Sequence, residues 1–151
     1  MQTLGSLFSG GGGWDAGGVM VGLKPVFAVE MDRTLAAWHS KVFGGHTWAS
    51  PIADVNWGEV TAKVGHVDVL VSSPPCQDYS TSGAQKASIA AAKGIARGDR
   101  SLCDPMAGIH TLDAVDALHP FVVFLEEVPA YATRPSSPFP RIVEGLRRRG
   151  Y

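Results

Sequence analysis

Several features are scarce in this chain of 151 residues, and each shortage excludes something. Two cysteines, Cys76 and Cys103, are too few for a disulfide scaffold and too few on their own for a structural zinc site. The five histidines are scattered, and none stands with Cys or Asp at a metal-ligand spacing, so no metal is expected. No apolar run approaches the roughly 20 residues that cross a bilayer. The N-terminus, MQTLGSLFSGGGG, lacks the basic start and long apolar core of a secretory signal. A cytoplasmic, reducing compartment without membrane attachment is the simplest expectation. Formal net charge is −1, which provides no overall basic footprint for nucleic acid. The clearest local one is Arg147, Arg148 and Arg149.

What is present suits one folded domain over 1–151, with 45% hydrophobic and 18% charged residues. Thr3 to Phe8 reads as a strand that runs into Ser9 and the glycines Gly10 to Gly13. Trp14 to Val21 follows as a helix with Asp15 in its first turn, and Pro25 to Glu30 as an apolar strand closing on an acid. Thr34 to Phe43 suits a helix and His46 to Ala49 a short strand. Val67 to Ser72 and Phe121 to Leu125 are apolar strands, the second ending in Glu126 and Glu127. Ser80 to Asp99 reads as a partly loop-like segment, and Leu102 to Leu118 and Pro138 to Arg149 as helices. Apolar strands alternating with helices imply an α/β fold: a mostly parallel sheet with helices on both faces. Ligands of such sheets bind beyond the carboxyl ends of the strands, where the glycine loop, Glu30, Cys76 and Glu126 all fall.

Gly10, Gly12, Gly13 and Gly17 lie between a strand and a helix, where bare backbone can turn sharply and approach a ligand. The dinucleotide fingerprint is not met, because Asp15 stands where its third glycine belongs. An acid in the first helical turn suits a phosphate poorly and a neutral or cationic ligand better. Glu30, at the end of the second strand, can hydrogen-bond a ribose diol. Together these favour a nucleoside-containing cofactor without pyrophosphate at the loop; the plainer alternative is a glycine turn beside an exposed acid.

Cys76 follows a strand directly after Pro74 and Pro75, and Gln77, Asp78 and Ser80 come next. Free cysteines are commonly core filler. Here the prolines remove two backbone donors and narrow the local conformations, as a stiff loop presenting a soft nucleophile would require. Glu126 would meet Cys76 along the same sheet edge. A cysteine and an acid without histidine is unlike a protease pair and suits addition to an electron-poor ring. Cys103 lies within a helical pattern and reads as structural.

In this ordered set the sequence resembles the DNA cytosine-5 methyltransferases. Phe8-Ser-Gly-Gly-Gly-Gly13 resembles their S-adenosylmethionine loop, and Glu30, with Met31 beside it, the acid that holds the ribose hydroxyls. Asp54 in ADVNW stands at the family's acidic position near the adenine, and Pro74-Pro-Cys-Gln-Asp-Tyr-Ser80 resembles the nucleophile motif, with Pro74 on its cofactor side. Gly98-Asp-Arg-Ser-Leu102 fits the loop that follows, Leu125-Glu-Glu-Val-Pro129 the Glu-Asn-Val motif, and Gly150-Tyr151 the start of the next segment. The resemblance implies a Rossmann-like methyltransferase core with strand order 3-2-1-4-5, S-adenosylmethionine as cofactor and DNA as partner, as in restriction–modification. It implies that Cys76 adds to C6 of a flipped-out cytosine while Glu126 contacts N3 and the exocyclic amine. Pro75, Gln77, Ser80 and Arg100 would belong to the substrate loop, although Arg100 could equally be a solvated charge.

Two departures stand out. Glu127 replaces the family's asparagine, and two adjacent carboxylates raise the pKa of one of them. The arginine-bearing strand, the recognition domain and the late motifs have no counterpart here, so the core is expected to be incomplete at its C-terminus. A missing C-terminal region or a complementing subunit would then supply base readout. The alternatives are a tRNA cytosine-5 methyltransferase and a non-catalytic protein that keeps the fold and the cofactor site.

Overall fold

The computed structural model describes residues 1–76, 104 and 106–151. Five parallel strands form one sheet in the order β3-β2-β1-β4-β5, the order that the resemblance implies. They are β1 (Thr3–Leu7), β2 (Lys24–Val29), β3 (His46–Trp48), β4 (Val69–Ser72) and β5 (Val122–Leu125). Among the described residues the α-helices are α1 (Gly13–Met20), α2 (Arg33–Phe43), α3 (Trp57–Val64), α4 (Thr111–Leu118), α5 (Pro129–Thr133) and α6 (Phe139–Arg148). Short 3-10 turns cover Ile52–Asp54 and Ala107–His110, so the helical pattern before Leu118 is split into two pieces. No described helix is long and apolar enough to cross a membrane.

The main core packs α3 and α4, through Val60, Ala114, Val115 and Leu118, onto Leu7, Phe27, Val29 and Leu70 of the sheet. A smaller cluster on Leu4, Val69 and Val71 includes Leu23. Side chains alternate across a strand, so Ser6 shares the face of Leu4 and turns toward α1. There its hydroxyl donates to Asp15 Oδ2 at 2.8 Å. Tyr131 and Ile142 anchor α5 and α6 in a third cluster.

The interior strand β4 is buried along its whole length, as its apolar pattern implies. β5 has the same composition but lies at the sheet edge, where Val122 and Phe124 are exposed. Its outer face is therefore not covered by a helix of the described residues; Phe124 stacks on the half-exposed Trp14, with ring centroids 6.1 Å apart. Helix α3 has no counterpart among the expected elements. Asn56 caps it, accepting from the Glu59 amide at 3.2 Å.

Candidate active site

The site is built where the chain leaves β1. Phe8 has φ +57°, a left-handed conformation rare for a bulky side chain, and such strain concentrates at functional loops. Gly10 and Gly12 continue the turn with φ of +52° and +81°. The Gly10 amide donates to Glu30 Oε2 at 2.8 Å, and the Asp32 amide donates to Glu30 Oε1 at 2.8 Å. The buried Glu30 carboxylate thus ties the glycine loop to the start of α2. Asp32 in turn caps that helix, accepting from the Thr34 and Leu35 amides.

Phe8 and Glu30 line a cavity of about 490 Å³, within the range of small-molecule sites. Met31 and Asp32 extend its wall from β2, and Ser50, Pro51, Ile52 and Ala53 from the chain after β3. Ser73 and Pro75 close it from the loop after β4, and Asp104, Ala107 and His110 from the far side. Three carboxylates and neither Lys nor Arg stand among these lining residues, whereas phosphate sites favour such cations. The cavity therefore suits a neutral or cationic ligand with hydroxyls for Glu30 to accept.

That preference does not come from Asp15. Its carboxylate is fully buried, bound by Ser6 and 3.1 Å from Nε2 of the buried His39. Asp15 faces the joint between β1, α1 and α2 and not the cavity. Gly12 has an inward duty as well, because a side chain there would run into the Phe43 and His39 rings. Gly13 opens α1 with free space around its Cα.

The two prolines before Cys76 have different tasks. Pro75 lines the cavity, whereas Pro74 is buried against Gly108, where an added Cβ would lie 3.0 Å from its ring. Pro74 thus supports the loop from behind and is not among the residues that line the cavity. Asp54 is exposed, and Ala53 takes the wall position beside it. Gln77, Ser80, Arg100 and Cys103 lie outside the described residues.

Strand register brings the acids to the cysteine. Ser72 of β4 pairs with Leu125 of β5, and the Glu126 amide donates to the Ser72 carbonyl at 3.0 Å. Glu126 and Glu127 therefore emerge beside the loop that carries the partly buried Cys76. Burial pushes the Cys76 thiol up, and the charges of Glu127 and then Glu126 push it further. Glu127 is itself raised to about 7, by burial and by the neighbouring Glu126 against one backbone hydrogen bond from Val128. Sequence reasoning paired Cys76 with Glu126; in the structure Glu127 acts on the thiol more strongly.

Residues 2–151 match the family of C-5 cytosine-specific DNA methylases. The chain belongs to this family. Type II methyltransferase M.AluI of Cellulosimicrobium cellulans is 37% identical over 81 residues, covering 52% of this chain and 16% of that relative. M.DdeI of Desulfomicrobium norvegicum, also a type II methyltransferase, is 30% identical over 82 residues, covering 51% of this chain and 19% of its own length. The matched stretches thus span less than a fifth of either curated relative. Solved structures share the fold. A protein encoded within an E. coli prophage and assigned as a DNA modification methyltransferase superposes with TM-score 0.71 at 19% identity, over 98% of this chain and 38% of its own. The S. pombe Dnmt2 methyltransferase does so with TM-score 0.63 at 14% identity, over 98% and 40%.

In this methylase core, the cavity brings together Phe8, Glu30, Met31 and Pro75 of the residues singled out from sequence, with Gly10 joined through its hydrogen bond. Ser50, Pro51, Ala53, Asp104 and His110 were not anticipated. Ser-Pro directly after β3 was the available signal, since it lies at the carboxyl edge of a parallel strand.

Proposed function

We propose that this chain supplies the cofactor cavity and the nucleophile for transfer of a methyl group from S-adenosylmethionine to C5 of cytosine in DNA. One observation carries the reading: Pro75, immediately before Cys76, is a wall of the cavity that Glu30 lines. The acidic cavity, without Lys or Arg among its described lining, fits an adenosyl sulfonium. Glu30 would accept from the ribose hydroxyls, and Pro51, Ile52 and Phe8 offer apolar surface to a purine. The bound cofactor supplies an electrophilic methyl group.

The protein's own residues prepare the base. A cytosine must leave the stack before a thiol reaches C6. Cys76, as thiolate, bonds to C6, and Glu126 contacts N3 and the exocyclic amine, so that electron density rises at C5. C5 would take the methyl as its bond to the sulfonium breaks and a neutral thioether is left; transfer of the C5 proton to solvent, with expulsion of Cys76 as thiolate, then restores the aromatic ring.

Base readout requires a surface that enters a groove, which we assign to a further segment or a complementing subunit. Phe121, Val122 and Phe124 are 73%, 42% and 50% exposed along the β5 edge, and apolar exposure of this kind suits a packing partner.

Incubation of the chain, together with the segment or subunit that reads the bases, with labelled S-adenosylmethionine and, in parallel, duplex DNA and tRNA tests the assignment. Label recovered as 5-methylcytosine in DNA is expected. Label in tRNA alone would transfer the reading to RNA, and cofactor binding without label in either would leave a binding protein.

A further inference from the structure

Glu127 stands where the family's asparagine is expected, and the two side chains differ in what they offer. An asparagine amide both donates and accepts, an ionised carboxylate only accepts, and a protonated carboxyl does both again. In the structure Glu127 Oε2 accepts from the Val128 amide at 3.2 Å. Oε1 is buried and has no hydrogen-bond partner among the described residues. An ionised oxygen removed from water without a donor costs far more than a neutral hydroxyl left unpaired in the same place. Among the described residues, the ionisable groups that act with it are Glu126 on its own strand end and Cys76 on the loop after β4.

We propose that Glu127 is a positioning residue that works as a neutral carboxylic acid, with its proton on Oε1. In that form it leaves Cys76 beside one strand-end carboxylate instead of two, and the thiol can ionise. Once Glu127 loses its proton, its charge opposes the thiolate, so that thiolate formation on raising the pH is held back relative to a site with a neutral side chain there. This rests on Cys76 being the nucleophile, and it makes the asparagine-to-glutamate departure a pH-dependent form of the same site.

The pH profile of Cys76 alkylation by iodoacetamide tests the coupling without DNA or cofactor, in a Cys103→Ser background where Cys76 is the sole cysteine. At pH 6, Glu127→Gln should react within about twofold of its parent, since both side chains are then neutral. At pH 8.5 the variant should react at least threefold faster, because the Glu127 carboxyl of the parent has become an opposing anion. A rate ratio that does not change with pH would overturn the proposal. Carboxyl carbon NMR of the unsubstituted chain is a second readout that needs no variant. A Glu127 midpoint near 7 supports the proposal, and a midpoint at the ordinary value near 4.5 overturns it. If the coupling is present but no methyl is transferred, the functional assignment fails and the coupling stands; transfer without coupling fails only this inference.

Discussion

The Gly10 amide and the Glu30 carboxylate are hydrogen-bonded at 2.8 Å, so one acid both shapes the glycine loop and faces the cavity. Glu30→Ala should weaken S-adenosylmethionine binding by about tenfold or more, as loss of a hydrogen bond to a charged group does. It should also lower stability by about 1–3 kcal/mol, the net worth of part-buried hydrogen bonds to a charged group. Calorimetric titration and urea unfolding read the two effects separately.

Asp15 is a structural acid. Replacing it with Ala leaves the buried Ser6 hydroxyl without its acceptor and should cost about 1–3 kcal/mol, as an unpaired buried donor does. Urea unfolding checks this. A variant of unchanged stability with altered cofactor affinity would return Asp15 to the ligand site.

Gly12 and Gly13 are adjacent but should respond oppositely. Gly12→Ala places a Cβ at φ +81° and into the Phe43 ring, and should destabilise by about 1–3 kcal/mol. Gly13→Ala meets nothing within 4 Å at the start of α1 and should be neutral or stabilising by up to about 1 kcal/mol. Thermal melts of the pair distinguish a packing requirement from a general need for loop flexibility.

The Glu127 shift has a definite sign in stability. An unfolded glutamate ionises near 4.5, whereas the folded one holds its proton to about 7. Between those values the unfolded state binds fewer protons, so rising pH disfavours folding. Urea midpoints should therefore show Glu127→Gln gaining on the parent between pH 4.5 and 7 and keeping that advantage above it. A difference constant with pH would contradict the shift.

The parallel sense of the strands and the placement of glycine loop, Glu30 and Cys76 at one sheet edge were legible because strand patterning and turn residues act locally, whereas the strand order came from the family resemblance. The inward turn of Asp15 was not. It depends on His39, which lies on a different helix, and an acid in a first helical turn looks the same whichever way it faces. The division of labour between Pro74 and Pro75 depends on Gly108, again distant in sequence. β5 resembles β4 in being apolar, yet one is interior and the other lies last in the order, a difference that composition does not carry and only the family resemblance supplied. Helix α3 did announce itself, through Asn56 and Glu59 at capping-box spacing, but its apolar stripe is short, on a helix of only 8 residues.

The central claim is that the Glu30 cavity and the Cys76 thiol serve one reaction. The most direct measurement is mass spectrometry after incubation of the chain, together with the segment or subunit that reads the bases, with S-adenosylmethionine and a duplex containing 5-fluorocytosine, whose fluorine cannot leave as a proton does. A Cys76 peptide carrying both the DNA strand and one additional methyl group, absent in Cys76→Ser, is the predicted result. No adduct, or one that persists without Cys76, would contradict it.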